Sequence, residues 1–167
     1  VRLLPGDLRH KPIVLLAALI LAGCGGDGSS EPQVVRGNGY RFQAPSGWEV
    51  TRTLRQAAAA DGEIDRVEVT TFRLMRPYRP ALFAAAAKEL DGVAGKLARE
   101  LKGKVTSEGT VRVFGRPSRT YRISYDGRTQ ELTFVLDGRR EYQLLCRREA
   151  DGGRDACAML VRTFALA

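Results

Sequence analysis

Apolar and polar positions alternate through residues 39–74, where Tyr40 and Phe42 interleave with Arg41 and Gln43, and Val67 and Val69 with Arg66, Glu68 and Thr70. A period of two sends successive side chains to opposite faces, so these runs predict half-buried strands. Between them, residues 56–63 carry Ala57, Ala58, Ala59 and Ala60 followed by Asp61-Gly62, a stretch that predicts a loop or a short helical turn.

The period then changes. Across residues 80–102, Leu82, Ala86, Leu90, Val93, Leu97 and Leu101 recur at helical spacing, with Lys88, Glu89, Lys96 and Arg99 off that stripe. This predicts an amphipathic helix with one buried face. Gly92 and Gly95 suggest close packing on a sheet, and Gly103 its end. Beyond it, residues 105–114, 119–125, 129–136 and 141–146 alternate again, separated by Gly115-Arg116-Pro117, Asp126-Gly127 and Asp137-Gly138. Asp-Gly between alternating runs signals a tight hairpin, because glycine tolerates positive φ. On this meander Tyr121, Ile123 and Tyr125 share a face, as do Leu132, Phe134 and Leu136. Asp155 is placed to cap a last helix carrying Cys157, Leu160, Val161 and Phe164. The predicted fold class is α+β: an antiparallel β-sheet meander flanked by one long helix and a C-terminal helix.

The first residues change the picture of where such a domain works. Arg2, Arg9 and Lys11 precede an unbroken apolar run over residues 13–22, a charged region followed by an apolar one, as in an export signal. The run is shorter than the roughly 20 residues a membrane-crossing helix needs. Leu21-Ala22-Gly23-Cys24 looks like a lipobox, the cleavage motif of bacterial lipoproteins; that resemblance implies thioether lipidation of Cys24, with palmitate-type acylation and cleavage before it. The alternative is an ordinary secretory signal or a short uncleaved anchor that contains a cysteine. Residues 1–23 are thus expected to be a signal peptide, 24–35 a flexible tether rich in glycine and serine, and 36–167 a single globular domain. The expected location is the cell membrane, lipid-anchored on its extracytoplasmic side.

The chain carries a formal charge of +8, and removing three basic residues and one acidic residue with 1–23 leaves 24 basic against 18 acidic, or +6. An exported, tethered chain with no recognition motif argues against nucleic acid as the partner. The arginines Arg112, Arg116, Arg119, Arg122, Arg128, Arg139, Arg140, Arg147 and Arg148 fall on strands and turns alike. They form either a solvated surface or one attracted to anionic lipid head groups or an acidic envelope protein. With Cys24 assigned to lipid, Cys146 and Cys157 remain as an even pair, expected to be a disulfide joining the last long strand to the last helix. The alternative is two buried free thiols.

The residue types narrow the chemistry. The one histidine, His10, lies in the segment expected to be removed, so the mature chain has no Ser-His-Asp or Cys-His arrangement. No serine stands three residues before a lysine. Asp61, Glu63 and Asp65 begin like a calcium loop, but Arg66 and Phe72 stand where glycine and the bidentate glutamate belong. Gly37-Asn38-Gly39 begins a dinucleotide-type glycine pattern that Phe42 breaks, which leaves a turn. No catalytic residue, metal ligand or cofactor is expected.

Tyr40-Arg41-Phe42-Gln43-Ala44-Pro45-Ser46-Gly47-Trp48 resembles the Y-x-F-x-x-P-x-G-W opening of bacterial lipoproteins with the PsbP-like (Mog/PsbP) fold, and the order of elements after it is similar across nearly the whole mature chain. The resemblance implies an α/β/α sandwich and a superfamily of non-enzymatic accessory and binding proteins, with no family-wide catalytic residues to carry over. Read from the residues, Pro45-Ser46-Gly47 is a tight turn and Trp48 packs beneath the sheet. Three functional classes follow. The first is a non-catalytic, membrane-anchored binding or accessory module of the cell envelope. The second is a carrier or sensor of a small apolar ligand or lipid, in a cavity opened by Ala84, Ala85, Ala86, Ala87, Ala94 and Ala98. The third, a histidine-free hydrolase, has no motif behind it.

Overall fold

The computed structural model describes residues 31–167. The strands are β1 (Gln33–Gly37), β2 (Tyr40–Ala44), β3 (Glu49–Arg52), β4 (Gln56–Asp61), β5 (Asp65–Arg73), β6 (Lys104–Val113), β7 (Arg116–Tyr125), β8 (Arg128–Asp137), β9 (Arg140–Glu149) and β10 (Ala165–Leu166). The helices are α1 (Phe83–Glu100), entered through a 3-10 turn at Pro80–Leu82, and α2 (Asp155–Thr163). Seven strands form one antiparallel sheet in the order β3-β4-β5-β9-β8-β7-β6, and β1-β2-β10 form a small second sheet. The fold is the expected α+β arrangement: α1 covers one face of the large sheet, and α2 with the small sheet covers the other.

Side-chain alternation along β8 and β9 divides the core between these faces. Tyr121, Ile123, Leu132 and Phe134 pack under Leu90, Ala94 and Ala98 of α1. Val135, Tyr142, Leu144 and Cys146 meet Val35, Phe42, Leu160 and Phe164 on the other side. The Tyr40 hydroxyl, sealed between the two sheets, donates to the Val69 carbonyl at 2.7 Å. Its burial pushes its pKa up to about 12.

Several expectations are corrected. The alanine run is strand β4, with Ala57, Ala58 and Ala59 buried. The helical preference of alanine yields because β4 is an interior strand lying beneath β1, where a small side chain lets the two layers approach. The expected tether overlaps β1, which starts at Gln33 and buries Val35 completely. The buried stripe of α1 is rotated toward its small residues: Leu82 and Val93 are about half exposed at 50% and 48%, while Ala94 and Ala98 are buried. Gly92 and Gly95 have no sheet atoms near them, so alanines make the close approach instead.

The end of α1 is also built differently. Lys102 takes the left-handed conformation (φ 53°), and the Gly103 N–H donates to the Ala98 carbonyl at 2.8 Å. Gly103 is needed for space, since a Cβ there would lie 2.5 Å from the Ser124 carbonyl oxygen. Asp155 makes no side-chain cap; it is the first residue of α2, where its charge still complements the helix N-terminus. The hairpin β6–β7 turns on Phe114-Gly115, so Arg116 and Pro117 belong to β7.

Candidate binding groove

On the α2 face, the flank formed by β6, β7 and β8 extends past the helix and leaves a groove of about 650 Å³. Thr120, Arg122, Glu131 and Thr133 line it from the sheet, and Arg154, Ala158, Val161 and Arg162 from α2 and the residue before it. Val111, Arg112 and Phe114 add a partly apolar rim.

Glu131 is the centre of charge. Its carboxylate accepts from Arg154 at 2.8 and 2.9 Å and from Arg122 at 3.3 Å, and Arg148 stands 3.7 Å away. Burial alone would raise the Glu131 pKa, but the Arg154 hydrogen bonds and the charges of Arg154, Arg122 and Arg148 outweigh it and hold the carboxyl below its ordinary value. Arg148 also donates to the carbonyls of Glu149, Ala150 and Gly152, at 3.1, 3.0 and 2.8 Å, fixing the loop that leads into α2. Cys146 and Cys157 are joined by a disulfide, which pins α2 to β9 at the side of the groove.

Two further carboxylates are held in the same manner. Asp91 on α1 accepts from the Tyr121 hydroxyl at 2.6 Å and from Arg119 at 2.7 Å, and both bonds lower its pKa. Burial would raise Glu68, yet hydrogen bonds from Gln56, Arg66 and Thr70 lower it overall. A general acid at neutral pH needs a shift in the opposite direction. These groups are fixed anions that order arginines.

The other sequence candidates fall in different places. Leu21, Ala22, Gly23, Cys24 and His10 lie outside the described residues. Asp61, Glu63 and Asp65 form the β4–β5 hairpin turn, and Gly37-Asn38-Gly39 makes the β1–β2 turn. Trp48 is half-buried against the core, and its carbonyl accepts from Gln33 at 2.7 Å. The cavity expected from the alanines divides: Ala94 and Ala98 are packed, whereas Ala85 and Ala86 line an open groove of about 420 Å³ between α1 and residues 74–78. The Glu131 cluster went unrecognised in the sequence, although the Asp126-Gly127 turn already sets Arg122 opposite Glu131.

No protein-family model matches the sequence, and no curated protein matches it. Among solved structures, the chain is similar to cyanobacterial PsbP (CyanoP) from Synechocystis sp. PCC 6803, with a TM-score of 0.60 at 13% identity, covering 88% of this chain and 99% of that one. The fold is PsbP-like. A crystal structure from Bacteroides thetaiotaomicron VPI-5482 gives a TM-score of 0.54 at 12% identity over 77% of this chain, which spans 45% of that longer one. At such identities the likeness extends to the backbone arrangement and no further.

Proposed function

We propose that the protein is an exported lipoprotein, anchored through lipid on Cys24, whose PsbP-like domain is a non-catalytic binding module of the cell envelope. The observation that carries the binding role is the groove beside α2. Its one carboxylate is committed to three arginines, which leaves Arg112 and Arg162 on the rim to meet an incoming anion. Guanidinium forks pair with carboxylates in two-point geometry, and Val111, Phe114, Ala158 and Val161 offer apolar contact beside them. The occupant suited to this chemistry is an acidic segment of an envelope protein.

The test has two readouts. Mass spectrometry of the N-terminal peptide from membrane-isolated protein is expected to show a lipid-modified Cys24, and Cys24→Ser to release the domain from membranes. A photo-crosslinker at Ala158 is expected to trap one partner in intact cells, lost when Arg112 and Arg162 are both changed to glutamine. Turnover abolished by a single carboxylate substitution would overturn the non-catalytic reading.

A second reading, a carrier of a small apolar ligand, draws on the groove beside α1. Leu74, Leu82, Ala85, Ala86, Leu90 and Val93 line it together with Tyr78, whose hydroxyl is buried and makes no hydrogen bond. Native mass beyond the covalent lipid, lost on denaturation, is the result that supports a carrier.

A further inference from the structure

The strand registers sort the loops between two ends of the molecule. Arg73 pairs with Arg140, Arg116 lies beside Asp137, and Arg52 reaches the Arg36 carbonyl next to the β1–β2 turn. One end therefore gathers the turns at residues 38–39, 53–55, 114–115 and 138–139 together with the segment 74–79. Here Leu54 is 83% exposed, Met75 96% and Phe114 50%, and Phe72 is exposed as well.

Three of these apolar groups have an exposed arginine next in sequence, Leu54 with Arg55, Phe72 with Arg73 and Met75 with Arg76, and Arg139 and Arg140 lie beside them; Phe114 and Arg112 stand at the border shared with the groove beside α2. Among the described residues, none of these six arginines lies within ion-pair distance of a carboxylate. The acidic residues at this end are Asp137, held by Arg116 at 2.7 Å, Glu141, which accepts from Gln143, and Glu89, which lines the groove that Arg76 borders. The opposite end is mixed in charge: Asp61, Glu63, Asp65, Asp126, Glu149 and Asp151 stand there among Arg66, Lys102, Lys104, Arg128 and Arg147. The excess positive charge thus collects at the end where the exposed apolar side chains stand, the positive pole of the domain.

We propose that this arginine-rich end docks on the surface of an anionic phospholipid bilayer. A protein interface concentrates its apolar residues in a packed centre with a polar rim. Here Leu54 and Phe72 share a groove with Arg55, Arg73, Arg139 and Arg140, while Met75 and Phe114 stand apart on their own segments, so no packed apolar centre forms and each apolar group has a guanidinium near it. This arrangement places apolar groups at the acyl boundary while the cations stay at phosphate level. The proposal rests on the charge distribution of the folded part and not on lipid at Cys24.

Strand β1 begins at Gln33, whose side chain donates to the carbonyls of Pro45 and Trp48 at the end opposite the positive pole. From Cys24 to Gln33 a fully extended chain spans about 30 Å, close to the length of a ten-residue strand. Anchored as proposed above, a domain on a tether of that length can turn its positive pole to the anchoring membrane or to a facing one, and the charge preference for anionic lipid is the same in both cases.

The experiment mixes the full chain with vesicles containing brominated phosphatidylglycerol or brominated phosphatidylcholine. M75W supplies a fluorophore at the positive pole, while the native Trp48, at the other end, is the internal control. Quenching of the added M75W signal by the anionic vesicles, with Trp48 unaffected, is expected. Replacing Arg73 and Arg76 by glutamine should lower the partition constant about thirtyfold, and raising salt should weaken docking further. Equal quenching by both lipids, or a double variant that docks as before, overturns the proposal. No quenching also overturns it and leaves an acidic protein as the partner of this end. Lipid on Cys24 is read separately from the mass of the N-terminal peptide, so either idea can fail alone.

Discussion

Reducing the disulfide between Cys146 and Cys157 should destabilise the domain by an amount set by the length of the loop it closes. The bridged residues are 11 positions apart, and the loop-closure relation gives about 2.8 kcal/mol of destabilisation of the unfolded chain relieved on reduction. Both side chains are nearly sealed from solvent, at 4% and 3% exposure, so the freed thiols stay packed as small apolar groups and no cavity opens. With a urea dependence of about 2 kcal/mol per molar for a domain of this size, reduction should lower the unfolding midpoint by about 1.4 M.

The same loop offers a control on the mechanism. Arg148 holds the loop carbonyls in the folded state only, whereas the bridge acts chiefly on the unfolded chain. Arg148→Met and reduction should therefore add, to within about 0.5 kcal/mol. A coupling above about 1 kcal/mol would refute this reasoning and locate the effect of the bridge in the native loop. An unmoved midpoint on reduction would refute the unfolded-state account itself.

Two other predictions concern the ion pairs and the helix. Glu131 has its pKa lowered from 4.5, so its pairing stabilises the fold above that value and is lost as pH falls through the depressed one. Urea midpoints measured from neutrality into acid should show Glu131→Gln less stable than wild type at neutral pH, with a shallower loss in acid; parallel curves would contradict the assignment. Ala94→Leu, at a fully buried contact between α1 and the sheet, should cost about 1–3 kcal/mol by thermal unfolding, while Ala85→Leu in the exposed groove should stay within about 0.5 kcal/mol.

Elements whose signals are local were legible in the chain itself. The period-two runs and the Asp126-Gly127 turn set the antiparallel meander, because a two-residue turn with positive φ at both positions fixes register along the whole hairpin. The helical stripe located α1, and the spacing of Cys157, Leu160 and Phe164 located α2. That register also placed Arg122 across from Glu131, a pair legible in advance.

Features that depend on neighbours distant in the chain were settled only by packing. Alanine has no strong strand preference, so β4 became a strand only because β3, β5 and the layer above enclose it. Both Ala94 and a larger apolar residue satisfy a helical pattern, and contact with the sheet selected the small face of α1. Arg154 reaches Glu131 across 23 residues, a distance over which no periodicity carries information. The clustering of exposed arginines at one end has the same origin, since turns from five parts of the chain meet there only after the sheet has formed.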